Sequence, residues 1–462
     1  MILINQTNSK SFLFESMPIP NAVSKLSIPM VISSLVTVVY NLADTYFVGM
    51  LNNPIENAAV TLVYPVMLAF NTVNNLFGVG TSSMMSRKLG SGEHDKVRIA
   101  SSFGFWGAIL CSALLAIFCT IFKTPLLHLL GAGTDTINST SNYMFWTVNL
   151  GAVPAILNVV MAYMVRSEGS ALHASIGTMS GCILNIILDP IFILPQFLNM
   201  GAAGAGLATF ISNCIACIYF FLLNHRKKDN TYVCFKISKL KHITKDVSFG
   251  ILSVGIPASI QNFLNVTGTT ILNNFTASYD ASAVAAMGIS HKLFMIPTQV
   301  ALGFSQGVMP LVSYNYASGN RKRMKDSILF AFKIMVPLML IITAGYFIGS
   351  TSLIQLFSQN TEVINYGSVF LRRMCIGMIF LTADFMVIGV FQALGLGKNA
   401  LIFAILRKII LEIPLLFILN HITPLYGLAS AQSIAEIVLA TVAIIMLLRI
   451  FKQSSDVSRE TI

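Results

Sequence analysis

Ionisable side chains stand inside long apolar runs of this chain, among them Asp44, Asp189, Asp384, Glu412, Glu436, Lys292, Arg407 and Lys408. In water such residues are ordinary. At the centre of a bilayer each costs roughly 2.5–3.5 kcal/mol on insertion scales, so each implies a partner or a function. Asp44 and Asp189 have the surroundings best suited to chemistry. Tyr40 and Asp44 are spaced i, i+4, and so are Asn185 and Asp189, which gives each acid a polar neighbour on its own helix face. Carboxylates joined by amide and hydroxyl groups suit a proton or a sodium ion, with Asp44 and Asp189 as the candidate sodium ligands. A structural reading stands beside this one: Asp189 precedes Pro190 and caps a helix break, and Asp44 makes one structural hydrogen bond. Lys408 and Glu412 at i, i+4 read as an ion pair, while Asp384 and Glu436 have Lys292 or Arg407 as candidate partners.

The elements that hold these groups follow from composition. The 462 residues are 55% hydrophobic and 10% charged. Soluble domains carry roughly 25% charged residues, so lipid must solvate much of this chain. Twelve apolar segments are long enough to cross a membrane: 24–48, 57–84, 99–121, 140–163, 172–196, 203–224, 248–276, 283–312, 327–350, 368–392, 401–420 and 427–449. The net charge of +11 does not point to nucleic acid, because the basic residues concentrate in short loops between these segments. Loops 85–98, 225–247 and 313–326 carry most of them, and the alternate loops carry few, which places both termini in the cytoplasm. The first 23 residues, Lys10 among them, lack the apolar core and cleavage site of a signal peptide, so the first segment is expected to remain as an anchor.

The chain also repeats itself. GTSSMMSRKLGSGEHDKV at 80–97 aligns without gaps with GVMPLVSYNYASGNRKRM at 307–324, matching Gly80 to Gly307, Ser86 to Ser313, Ser91 to Ser318 and Gly92 to Gly319. Ile28-Pro29 matches Ile256-Pro257, Pro190 matches Pro414, and Gly206-Leu-Ala matches Gly427-Leu-Ala. An apolar chain built from two similar halves is the pattern of a transporter. Six helices per half give both halves one orientation, related by an axis along the membrane normal. The expected division is a first lobe over 1–224, a basic cytoplasmic linker over 225–247 and a second lobe over 248–462.

Several chemistries are absent from the sequence. Gly395-Leu-Gly397-Lys398-Asn399 fails as a phosphate-binding loop at its last position, and no His-Glu-x-x-His or Gly-x-Ser-x-Gly occurs. No cofactor is expected, and the chain is not read as an enzyme. Cys214-x-x-Cys217 lacks a second ligand pair and reads as helix filler. The stretch Gly201-Ala-Ala-Gly204-Ala-Gly206 reads as a close helix contact.

The segments YNLADTYFVG (40–49), GTSSMMSRKLGSGEHDK (80–96), NIILDPIFI (185–193), GAAGAGLATFIS (201–212) and MPLVSYNYASGN (309–320) together resemble the multidrug and toxic compound extrusion (MATE) family, over about 20–455. The resemblance implies twelve helices in two pseudo-symmetric six-helix bundles around a V-shaped cavity. It implies cation-driven efflux of amphipathic, often cationic organic compounds by alternating access, coupled to H+ or Na+, in a bacterial inner membrane and by a monomer. In the DinF-like branch the coupling acids lie on helices 1 and 5, where Asp44 and Asp189 stand. Asn185, Asn158 and Thr209 fit the accompanying polar positions, Tyr143 is a further match at the start of helix 4, and Pro29 fits a hinge in helix 1. The NorM-like branch places a glutamate on helix 7; the matching position here is about Asn265, although Asp384 resembles that branch's helix-10 acid. The stretch MGISHKLFMIPTQVALGFSQGVMPLVSYNY is similar to MepA-like proteins and sets Lys292 near the second-lobe cavity. The alternative reading is a flippase of lipid-linked oligosaccharide or peptidoglycan precursors from the same superfamily.

Overall fold

Apolar runs surrounded by lipid have no water to satisfy their backbone groups, so they must close their hydrogen bonds internally as helices. The computed structural model describes residues 11–228 and 230–460, with side chains up to Lys452; Lys10 lies outside the described residues. All twelve expected segments are helical. They are α1 Ile19–Gly49, α2 Pro54–Gly90, α3 His94–Ile121, α4 Ile137–Ser167, α5 Ala171–Ile193, α6 Gly201–Arg226 and α7 Lys245–Ala277. The second half continues with α8 Ala281–Ala317, α9 Arg321–Gln355, α10 Thr361–Cys375 with Met378–Ala393, α11 over 397–422 and α12 Tyr426–Glu460. Among the described residues there is no strand.

The helices outrun the apolar segments. α2 ends at Gly90 and α3 begins at His94, so the expected loop 85–98 shrinks to three residues and Arg87, Lys88, Lys96 and Arg98 become helical. Apolar composition marks where lipid ends; a helix continues until a capping residue stops it. α7 likewise begins at Lys245, which brings Asp246 into its first turn. Helix α10 is bent by 46° between its two parts. The Ser433 hydroxyl donates to the carbonyls of Arg373 and Met374 at 2.8 and 3.1 Å, inserting a side chain at the bend.

The duplication seen in the sequence is present in the backbone. α2 and α8 both end through a serine into a left-handed glycine, Gly92 at φ 74° and Gly319 at φ 80°. Only glycine takes that conformation without steric cost, and it stops the helix. α1 and α7 both run unbroken through their matching prolines, Pro29 and Pro257. The chain forms two compact units. Unit 1 is Ile32–Ser259 with the described residues before Met17; unit 2 is Met17–Val31 with Ile260–Ile462. The boundaries after Val31 and after Ser259 each fall inside a helix, two residues beyond its proline.

Within unit 1, Gly80 of α2 meets the first part of α7, where an added Cβ would lie 3.2 Å from Gly255 Cα. Within unit 2, Gly307 of α8 meets the first part of α1, where an added Cβ would lie 2.6 Å from Ser27 Cα. The duplicated alignment matches Gly80 to Gly307 and carries Gly255 onto Ser27. The same close helix crossing is therefore built twice, each time with a segment from the other half of the sequence.

Candidate functional site

In unit 1, α1 lies along α5 in a fixed register. Ser33 and Thr178 share a hydrogen bond of 2.6 Å, and Thr37 Oγ1 lies 3.9 Å from Cys182 Sγ. Both pairs are separated by 145 positions. Carrying that register two turns further sets Tyr40 against Asn185 and Asp44 against Asp189. On each helix the four positions follow the helical period and form one polar stripe.

Helix α6 closes the other side. Its Gly206 sits under α4, where an added Cβ would lie 3.1 Å from Trp146 Cβ and from the Tyr143 carbonyl. This close approach brings Thr209 one turn on into the site. Asn185 Nδ2 donates to Thr209 Oγ1 at 3.3 Å, and the Tyr40 hydroxyl also reaches Thr209. Asn158 on α4 donates to Asn213 Oδ1 at 2.6 Å and to the Pro154 carbonyl at 3.2 Å. These groups line a cavity of about 170 Å³ that includes Thr37, Tyr40, Asn158, Asn185, Thr209 and Asn213. Tyr143 is buried, with its hydroxyl 3.8 Å from Met67 Sδ.

Most of the first-lobe candidates are thus brought together. Sequence reasoning missed Ser33, Thr37, Thr178, Cys182 and Asn213. The available signal was the extension of the pairs already singled out: Ser33 and Thr37 continue the Tyr40–Asp44 stripe, and Asn213 follows Thr209 at i+4.

Asp189 is 0% exposed, and neither of its carboxylate oxygens has a hydrogen-bond partner at normal bonding geometry, although the Asn185 side chain on the same helix face lies within reach. Asp44 is half-buried, with Oδ1 shielded and unpartnered, and Asn185 Oδ1 is in the same condition. Buried polar atoms are nearly always paired, and a buried carboxylate without a partner is costly as an anion. The four orphan atoms are all oxygen acceptors. They fit a proton or a hard cation such as sodium, and they do not fit an anion. Helix α5 continues through Pro190 to Ile193, so Asp189 does not cap a helix break.

Unit 2 arranges its charges differently. Arg407 pairs with Glu436, and Lys408 with Glu412 at 2.6 Å, all four side chains being buried. Three of them ride on a widened turn of α11, Leu406–Glu412, which makes five-residue rather than four-residue backbone bonds. Asp384 is 0% exposed, and its carboxyl group lies beside that of Glu436 and within electrostatic reach of Arg407. The structure brings Arg407, and not Lys292, to Glu436. Lys292 is exposed on α8, while Asn265 is half-buried on α7 and its carbonyl accepts from Thr269 at 3.1 Å.

Two duplicated sets of long apolar helices, with orphan carboxyl groups beside a polar cavity, define a multi-pass membrane transporter. Comparison with known proteins agrees. The MatE family model matches the chain twice, over residues 29–191 and 257–418, starting at the two matched prolines. The chain belongs to the MatE family. It is 33% identical over 442 residues to the multidrug export protein MepA of Staphylococcus saprophyticus, covering 95% of this chain and 96% of that protein. It is 32% identical over 440 residues to MepA of Staphylococcus aureus strain MRSA252, with 95% and 96% covered. Among solved structures, an outward-facing multidrug resistance MATE transporter matches with a TM-score of 0.86 at 25% identity, over 94% of this chain and 96% of that one. A crystal structure of a MATE in complex with MaL6 shares the fold, with a TM-score of 0.91 at 24% identity, over 97% and 99%.

Proposed function

We propose that this protein is a secondary active multidrug exporter of the bacterial cytoplasmic membrane, with both termini cytoplasmic. It moves amphipathic, often cationic organic compounds outward in exchange for H+ or Na+. The observation that carries this reading is the pair of orphan oxygens on fully buried Asp189, set beside a polar cavity with Asp44 in register. The reading is further supported by the relatives named multidrug export proteins.

The chemistry is an exchange of charge at one place. With Asp44 and Asp189 ionised, the cavity attracts a cation and pays for keeping two carboxylates out of water. A proton or sodium ion entering from outside neutralises one of the two charges and weakens the attraction for a cationic compound. Asn185 and Thr209 then hold the neutralised group by hydrogen bonding. Because ligands shift an equilibrium only through differential affinity for two states, ion and compound must favour opposite arrangements of α1. Pro29 is the hinge in this scheme, since proline removes a backbone bond and weakens the helix there. Lys292, Asn265 and Asp384 are assigned no step.

The test is dye export by the full-length protein in liposomes under an imposed pH gradient or an imposed sodium gradient. Wild type should export under one of them, and Asp44→Asn and Asp189→Asn should each lose at least tenfold while remaining folded. Full gradient-driven export by both variants would overturn the assignment. Movement of a lipid-linked sugar, with no dye export under either gradient, would favour a flippase.

A further inference from the structure

The segment that joins α6 to α7 is strapped onto unit 1. Glu168, in the turn between α4 and α5, accepts from Thr231 Oγ1 at 3.0 Å and from the Tyr232 amide at 2.9 Å. The Cys234 amide donates to Ser101 Oγ at 3.0 Å, Ser102 Oγ donates to the Lys236 carbonyl at 2.8 Å, and Trp106 Nε1 donates to the Phe235 carbonyl at 3.0 Å. The Phe235 ring packs 4.3 Å from that of Phe105, and Tyr232 stacks on His94 at 4.8 Å. A mere tether would need none of these contacts.

Docking the strap encloses a cavity of about 450 Å³ lined by Arg98, Asn224, His225, Lys228, Lys236 and Lys239, with Phe221 and Phe235 supplying apolar wall. Its charge is one-sided. Lys239 lies 3.6 Å from the well-exposed Asp95, whereas among the described residues no carboxylate pairs with Arg98, Lys228 or Lys236. Asn224 Oδ1 is shielded from water and has no hydrogen-bond partner. The site therefore offers several cations for an anion and one acceptor for a hydroxyl. Its depth discriminates among anions. Ile218, Phe221 and Leu222 on the preceding turns of α6 are exposed, so the cavity opens where the lipid-facing surface of α6 gives way to charge. Phospholipid phosphates lie at that level of a membrane.

We propose that this cavity binds the headgroup of an anionic phospholipid, its phosphate among Arg98, Lys228, Lys236 and Lys239 and a headgroup hydroxyl donating to Asn224. The lipid thereby fastens the strap that carries all three of those lysines. The inference does not depend on which ion is coupled or which compound is exported.

Native mass spectrometry of the full-length protein released from nanodiscs tests it, with phosphatidylglycerol, phosphatidic acid and phosphatidylcholine as probes. Phosphatidylglycerol should be retained in preference to phosphatidylcholine. Each lysine near a membrane surface contributes about 1 kcal/mol toward an anionic lipid, or about fivefold, so Lys228→Gln with Lys236→Gln and Lys239→Gln should weaken retention about a hundredfold. The matching triple substitution to arginine should keep it, which separates loss of charge from loss of fold. Asn224→Leu should weaken phosphatidylglycerol more than phosphatidic acid, whose headgroup has no glycerol hydroxyl. Equal retention of all three lipids, or unchanged retention by the glutamine triple variant, would overturn the proposal. Displacement of the lipid by inorganic phosphate would overturn the lipid as the source of the anion. Equal loss of both acidic lipids in Asn224→Leu would overturn the hydroxyl contact.

Discussion

Ser33 on α1 and Thr178 on α5 share a 2.6 Å hydrogen bond across 145 positions of sequence, and this contact sets the register that faces Asp44 toward Asp189. Ser33 is buried and Thr178 half-buried, so each loses a partner if the other is truncated. Ser33→Ala and Thr178→Val should each lower stability by about 1 kcal/mol, and a double-mutant cycle in detergent should show coupling of roughly 0.5–1.5 kcal/mol. Strictly additive losses would mean that the hydroxyls do not set the register.

The glycine crossings make a sharper contrast. An added methyl at Gly307 would lie 2.6 Å from Ser27 Cα, while nothing lies within 4 Å of the corresponding point at Gly345. Gly307→Ala should cost about 1–3 kcal/mol through forced separation of the helices. Gly345→Ala should be neutral or gain up to about 1 kcal/mol, because it removes only the entropic cost of a helical glycine. Thermal melting of the two variants side by side checks the difference.

The second-unit ion pair should respond asymmetrically. Arg407→Met alone leaves Glu436 and Asp384 buried without their cation and should cost about 3–5 kcal/mol. Pairing it with Glu436→Leu should restore much of that loss, since a buried pair is often replaceable by apolar side chains of similar size. A double variant as unstable as the single one would show that Arg407 does more than balance Glu436.

Outside the membrane, Glu93 lies between Lys88 and Lys96, which hold its carboxyl well below the ordinary value, at about 2. The group binds its proton more weakly folded than unfolded. Its contribution is therefore full above the ordinary carboxyl value and fades as pH falls from about 4.5 toward 2. Over that window the melting temperature of the wild type should fall more steeply than that of Glu93→Gln, by a small margin, because the pair is partly exposed. Parallel curves would show the ion pairs to be energetically idle.

Helices were legible in the sequence because lipid forces every apolar run of sufficient length into one backbone conformation. The Lys408–Glu412 pair was legible for a similar reason, its partners being one turn apart. Contacts between distant segments leave no such local trace. Arg407 and Lys292 were equally plausible partners for Glu436 by composition, and only packing of α11 on α12 selects Arg407. The bend in α10 depends on Ser433, which lies far along the chain from Cys375. The strap was read as a linker because its lysines dominate its composition, while its anchors are backbone groups and one glutamate in another turn. Asp44 and Asp189 were found from polarity alone; that Asp189 is fully buried and Asp44 Oδ1 shielded without a partner became visible only in three dimensions.

The exchange of helix ends between the two compact units bears on how such a chain is assembled. Unit 1 is completed by Lys245–Ser259 from the second copy of the repeat, and unit 2 by Met17–Val31 from the first. Two copies produced as separate chains would meet the same requirement as a domain-swapped dimer, each lending its first helix turns to the other. Neither half of the gene then encodes a bundle that closes by itself, and fragments split at the connection between α6 and α7 have to be made together before either one is whole.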